Sequence, residues 1–209
     1  MPSLDQIRVA LSGHEPAVFE AGGLRQAAVA MVLRDAPAGP EVLFIERAER
    51  EGDPWSGHMA FPGGRIESGD PDMRFAAERE TREEVGLDLV GAERLGRLND
   101  LHGQRATGVP SILIAAFVYH LPETPPLLLN HEVQDVFWFP LLGLHEATHQ
   151  VEHPLGVRLG RSMPGIEVGE PGRHVVWGLT YRFLEVFFEI VGRPLPDRWR
   201  ELDSSSVAR

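Results

Sequence analysis

Short apolar runs alternate with glycine- and proline-rich breaks along this chain, and the spacing inside each run predicts its element. Residues 3–12 carry Leu4, Ile7, Val9 and Leu11 and read as a short helix ahead of the Gly22-Gly23 break. Ala27 to Leu33 reads as a buried strand, with Glu41 to Glu46 as its hairpin partner across the turn-rich segment Asp35 to Pro40. A further strand approaches Phe61, and Pro62-Gly63-Gly64 forces a turn. Asp70-Pro71-Asp72 then offers a cap with proline just inside a helix predicted over Pro71–Val85, which stops at Gly86. Strands are expected around Arg94–Leu98, Ser111–His120 and Val133–Phe139, whereas Ser162–Gly172 shows turn residues and no period. His174–Val191 reads as a long helix that is apolar nearly all round and must be buried by its own domain or by a second copy. The pattern predicts an α/β architecture, a mixed sheet with helices packed against it.

The Pro71–Val85 helix carries the candidate chemistry. At about 100° per residue, Met73, Ala76 and Ala77 share one face, and Glu80, Glu83 and Glu84 extend that face instead of the wet one. Glu78 and Arg82 fall nearly opposite. Solvated charges at the end of a rotating helix are the bland explanation. Against it, two half-buried carboxylates 5–6 Å apart repel by about 3 kcal/mol at an effective dielectric of about 20, so three together need compensation. A hard cation such as Mg²⁺ or Mn²⁺ supplies it through oxygen ligands. Arg79, four positions before Glu83, is within reach to hold one carboxylate. Gly64 would let a backbone carbonyl approach the ion.

Bulk properties narrow the partners. The 209 residues suit one domain spanning the chain. A net charge of −11, with no lysine- or arginine-rich run, argues against nucleic acid, while a cation in an acidic cleft still admits a small phosphate ligand. With no cysteine, disulfides, thiolate sites and cysteine nucleophiles are excluded. The nine histidines show no zinc spacing and there is no G-x-S-x-G elbow. The N-terminal region lacks a secretory pattern and no apolar run is long enough for a membrane, so a cytoplasmic protein is expected.

Gly64-x5-Asp70-x8-Arg79-Glu80-x-x-Glu83-Glu84-x-Gly86-Leu87 resembles the Nudix box, G-x5-E-x7-R-E-U-x-E-E-x-G-U. Asp70 replaces glutamate, one extra residue follows it, and Thr81 stands where a large apolar residue is usual. The longer spacing resembles the coenzyme A pyrophosphatase branch, as do Arg47-Ala48, Gly57-x3-Phe61-Pro62-Gly63-Gly64 and the C-terminal Trp177-Gly178-Leu179-Thr180-Tyr181-Arg182. The branch's second upstream arginine is missing, since Gly52 or Asp53 falls there, and Arg50 is the candidate substitute. Glu132, six residues before Trp138, resembles the position from which some Nudix enzymes deliver another metal-binding carboxylate.

The resemblance implies a Nudix-type α/β/α sandwich, with residues 64–87 as the box and with segments 1–23 and 174–191 as extensions. It implies hydrolysis of a pyrophosphate bond in a nucleoside diphosphate derivative, with coenzyme A as first choice and ADP-ribose or a dinucleotide as the alternative. A non-catalytic nucleotide-sensing module is the reading from another class. The implied metal ligands are Glu80, Glu83, Glu84, Glu132 and Gly64. Glu83 or Glu132 would accept the proton, with Glu80 and Arg79 completing the catalytic set. Arg47, Arg50 and Arg105 are the candidates for recognising the 3′-phosphate of coenzyme A, and a homodimer is one way to cover the C-terminal helix.

Overall fold

The computed structural model describes residues 1–51, 55–104, 110–153 and 163–196. Its centre is β1 (Arg25–Arg34), which runs parallel to β7 (Pro110–Leu121) from Arg25↔Ile112 to Arg34↔Leu121. The predicted hairpin is present, because β2 (Glu41–Arg47) pairs antiparallel with the end of β1 at Leu33↔Val42. β8 (Val133–Pro140) and β3 (Met59–Ala60) flank β2, and β5 (Glu93–Arg97) and β6 (Leu101–Gln104) pair with β7. Gly63–Arg65 is not only a turn. It forms β4, which pairs antiparallel with β1 through Ala28↔Gly64.

Alternation along β1 explains the layers. Ala27, Met31 and Leu33 face one core with α1 (Leu4–Ser12) and the C-terminal α3 (Gly178–Ile190), while Ala28, Ala30 and Val32 face a second core with α2 (Met73–Val85). Helices therefore cover both faces of the mixed sheet, as expected of an α/β/α sandwich. The two faces have opposite demands on α2: Ala76 and Ala77 are small enough to let its backbone lie close to the sheet, and both are fully buried.

Three boundaries differ from the sequence expectation, each for a local reason. Asp72, not Asp70, caps α2: its Oδ1 accepts from the Phe75 amide at 2.8 Å, which leaves Pro71 outside the helix. Residues 174–191 do not form one helix. Val175–Trp177 is β11, a strand of a small sheet with β10 (Met163–Glu167) and β9 (Gln150–His153), and Gly178 at φ +61° turns the chain into α3. β10 lies in the stretch expected to be patternless, and pairs on both sides. The apolar girth of α3 is consumed inside the chain, where Tyr181, Phe183, Leu184, Phe187 and Phe188 are buried in the first core. Among the described residues, no helix is long and apolar enough to cross a membrane.

Gly63 has φ +149°, and a Cβ at that position would collide with the Ala28 carbonyl and Val29 Cα. Gly63→Ala should lower stability by about 3 kcal/mol, through crowding and strain together. Gly69→Ala, with nothing within 4 Å, should leave the melting temperature nearly unchanged. Thermal denaturation of the two variants side by side checks this.

Candidate metal centre

Helix α2 presents its acidic residues unequally. Glu84 is buried and Glu80 half-buried, whereas the Glu83 side chain is 49% exposed. The inward triplet expected from the helical wheel is therefore a pair. The wheel was centred on the alanines, but the buried stripe also includes Thr81 and Val85. That moves its centre past Glu84 and leaves Glu83 roughly 120° away, at the rim. Thr81 enters the core by giving its hydroxyl to the Ala77 carbonyl at 2.7 Å, which satisfies the polar atom within the helix. Glu78, expected on the wet face, is instead bonded by the Tyr119 hydroxyl at 2.8 Å.

The third inward carboxylate comes from another element. Glu80, Glu84 and Glu132 each place an oxygen within 4.8 Å of the others. Glu132 reaches that point because its loop is fastened to the end of α2: Leu128 N donates to Val85 O at 2.9 Å and Asn130 N to Glu84 O at 3.0 Å. The Asn130 side chain then accepts from Glu132 N at 2.7 Å. Gly86 at φ +75° ends the helix where the loop crosses, and a Cβ there would press on Leu128.

Each inward carboxylate has a built seat. Gly63 N donates to Glu84 Oε2 at 2.8 Å, and Arg47 Nη1 lies 4.0 Å from Glu84 Oε1. The register irregularity between Glu46 and Arg47 bends the end of β2 where Arg47 meets the cluster. Gly64 leaves room for the Glu80 carboxylate, which would collide with any Cβ at that position. Arg50 Nη2 donates to Glu132 Oε1 at 2.8 Å. Sequence reasoning did not anticipate the Gly63 amide or Asn130, because a backbone donor and a loop amide have no motif of their own.

Arg79 organises the outer edge. Its five N–H donors are all used: two on Asp70 at 3.0 Å each, and one each on Glu80 at 3.0 Å, Glu83 at 3.1 Å and the Arg65 carbonyl at 3.2 Å. This is what Asp70 does at the box's departing position. It is a nearly buried anchor for the arginine, and that ion pair holds its carboxyl below the usual carboxylate range. Arg105 lies outside the described residues.

Electrostatics match the geometry. Burial pushes the Glu84 carboxyl up to about 8, against the pull of the Gly63 amide and Arg47, with Glu80 and Glu132 pushing the same way as burial. Burial also raises Glu80, opposed by Arg79. Two inward carboxyls that burial holds back from ionising, with the Glu132 carboxylate converging on them around a space cleared by glycine, fit a divalent cation with oxygen preference. A second group, Glu46, Asp135 and His174, fits one poorly. Arg173 already holds both Glu46 oxygens at 3.0 and 2.8 Å. His174 Nδ1 accepts from Glu170 N at 2.8 Å, which puts the ring proton on Nε2, the nitrogen facing Glu46.

A carboxyl raised by folding stabilises the fold at low pH and loses that contribution as pH climbs from its unfolded value toward its folded one. In chelator, wild-type stability relative to Glu84→Gln should therefore fall between about pH 5 and 8. Millimolar Mg²⁺ or Mn²⁺ should recover more of it at pH 8 than at pH 6, since only the ionised carboxylate binds metal. Denaturant melts of both proteins across this range measure it, and parallel pH profiles would refute it.

The NUDIX domain pattern matches residues 24–157. The human mitochondrial coenzyme A diphosphatase NUDT8 is 32% identical over 166 residues, covering 79% of this chain and 69% of that protein. A Nudix hydrolase of Citrobacter koseri named NudL, itself uncharacterized, is 31% identical over 180 residues, covering 81% of this chain and 85% of its own. An uncharacterized Schizosaccharomyces pombe protein is 42% identical over 113 residues, or 50% of this chain, and the match spans only 33% of that relative. Among solved structures, a bifunctional NMN adenylyltransferase/ADP ribose pyrophosphatase of Francisella tularensis, complexed with AMP and manganese, aligns with a TM-score of 0.51 at 15% identity. It covers 90% of this chain and 46% of that one, and speaks for the fold alone. The matched pattern takes in well over half of the sequence and every carboxylate of the cluster, and this chain belongs to the Nudix family of hydrolases.

Proposed function

We propose that this protein hydrolyses the pyrophosphate bond of a nucleoside diphosphate derivative, and that its preferred substrate is coenzyme A or a derivative, cleaved with water to 3′,5′-ADP and phosphopantetheine. The observation that carries the reaction class is the convergence of Glu80, Glu84 and Glu132 within 4.8 Å beside Arg47 and Arg50. Support for the substrate comes from the coenzyme A diphosphatase NUDT8, together with Arg47 and the Gly57-to-Gly64 signature.

In this reading Glu80, Glu84 and Glu132 hold Mg²⁺ or Mn²⁺, with a Gly64 carbonyl as a further ligand. When bound, the cation neutralises phosphate oxygens and lowers the pKa of water. The chain's own groups do the rest. Arg79 fixes Glu80 on one side and Glu83 on the other, and Glu83, open to solvent at the rim, receives the proton of the attacking water. Glu132 is the alternative acceptor, although its Oε1 is engaged by Arg50. Arg47, so near Glu84, is better placed for the diphosphate than for a remote 3′-phosphate.

Glu80→Gln and Glu84→Gln should each reduce kcat on the order of 10²-fold or more at saturating Mg²⁺ while the circular dichroism stays native. Near wild-type turnover in both would remove the metal assignment. A panel of coenzyme A, ADP-ribose, NADH and diadenosine polyphosphate should show the highest kcat/KM for coenzyme A. Coenzyme A left intact while ADP-ribose is consumed would keep the reaction class and replace the substrate.

A further inference from the structure

Arg50 has a one-to-one contact with a group that a cation would also need. Its Nη2 lies 2.8 Å from Glu132 Oε1, and Glu132 is one of the three carboxylates that converge. Its backbone is locked to Ser56, whose hydroxyl accepts from Arg50 N and donates to Arg50 O, both at 2.9 Å. The side chain is the part left to move, and at 42% exposed it borders open solvent. The His131 ring lies 3.9 Å from the same oxygen and is 82% exposed.

We infer that Arg50 is an exchangeable counter-ion: it holds Glu132 until a divalent cation displaces it, and then turns its guanidinium to a phosphate oxygen of the substrate. The inference rests on the metal-centre reading above. A divalent ion is shared by three carboxylates and Arg50 by one, so the ion wins the contest for Glu132. Displacement leaves a guanidinium beside the centre without its anion, and a diphosphate offers the forked pair of oxygens that arginine binds best. Cation and substrate then favour each other's binding, since each removes the competitor of the other, and that coupling is reciprocal.

The probe is Mn²⁺ alone, titrated into the full chain with free Mn²⁺ read by electron paramagnetic resonance. Arg50→Gln should bind Mn²⁺ roughly two- to fivefold more tightly than wild type, the factor expected for losing one half-exposed ion pair. It should also raise KM by about tenfold with a smaller change in kcat, the signature of lost phosphate binding. Arg50→Lys, which keeps the charge, should return Mn²⁺ affinity to the wild-type value. In a Glu132→Gln background Arg50→Gln should no longer tighten Mn²⁺ binding. Unchanged Mn²⁺ affinity in Arg50→Gln overturns the exchange, and so does a tightening that persists without the Glu132 carboxylate, because that would be a general effect of removing charge. A wild-type chain that binds no Mn²⁺ would overturn the metal centre itself and this inference with it.

Discussion

Bringing three carboxylates to one point inside a protein is costly, because each resists the charge of the others and all resist leaving water. Much of the surrounding structure answers that cost. The Gly63 amide supports Glu84, Arg47 balances it from the end of β2, Arg79 supports Glu80, and Arg50 holds Glu132. Two adjacent glycines serve separate ends: Gly63 adopts a backbone conformation closed to other residues, and Gly64 clears space for the Glu80 carboxylate. The seating is strong enough to assemble the cluster and incomplete enough to leave Glu84 reluctant to ionise, a reluctance that a bound divalent cation would relieve.

Helix α2 and the glycine strand β4 meet at the site through one strand, β1. α2 lies on one core with Ala76 and Ala77 against β1, and β4 pairs with the same strand, so helix and glycine turn are positioned by a common partner. Arg79 then ties the turn to the helix through Asp70 and the Arg65 carbonyl. An arginine with every donor in use is a rigid bracket. Its rigidity explains how the box tolerates Asp70 in place of glutamate: the shorter carboxylate still meets the guanidinium with both oxygens.

The layered fold, the main strands and the helix carrying Glu80 and Glu84 were legible because their apolar periods are long and the box spacing is specific. What was not legible depended on contacts distant in sequence. β4 and β6 are too short to show a period, and β10 exists because β9 and β11 flank it. Val175–Trp177 are apolar like the helix that follows, so only the positive φ of Gly178 marks the change of element. At the site, Thr81 misled the wheel: a hydroxyl satisfied by its own helix counts as buried, and ignoring it rotated the predicted face toward Glu83. Glu132 could be named from a resemblance, but its convergence with Glu80 and Glu84 required the loop's attachment to α2.

That attachment is made by main-chain atoms. Leu128 and Asn130 are fastened to α2 through their amide nitrogens and the carbonyls of Val85 and Glu84. Every residue except proline keeps those amide donors, so the side chains of Leu128 and Leu129 are not what delivers the carboxylate. Chain length is under tight control: inserting or deleting one residue between Leu128 and Glu132 would slide the carboxylate out of register, and the Asn130 side chain is the one in this segment whose contact with Glu132 N holds that register.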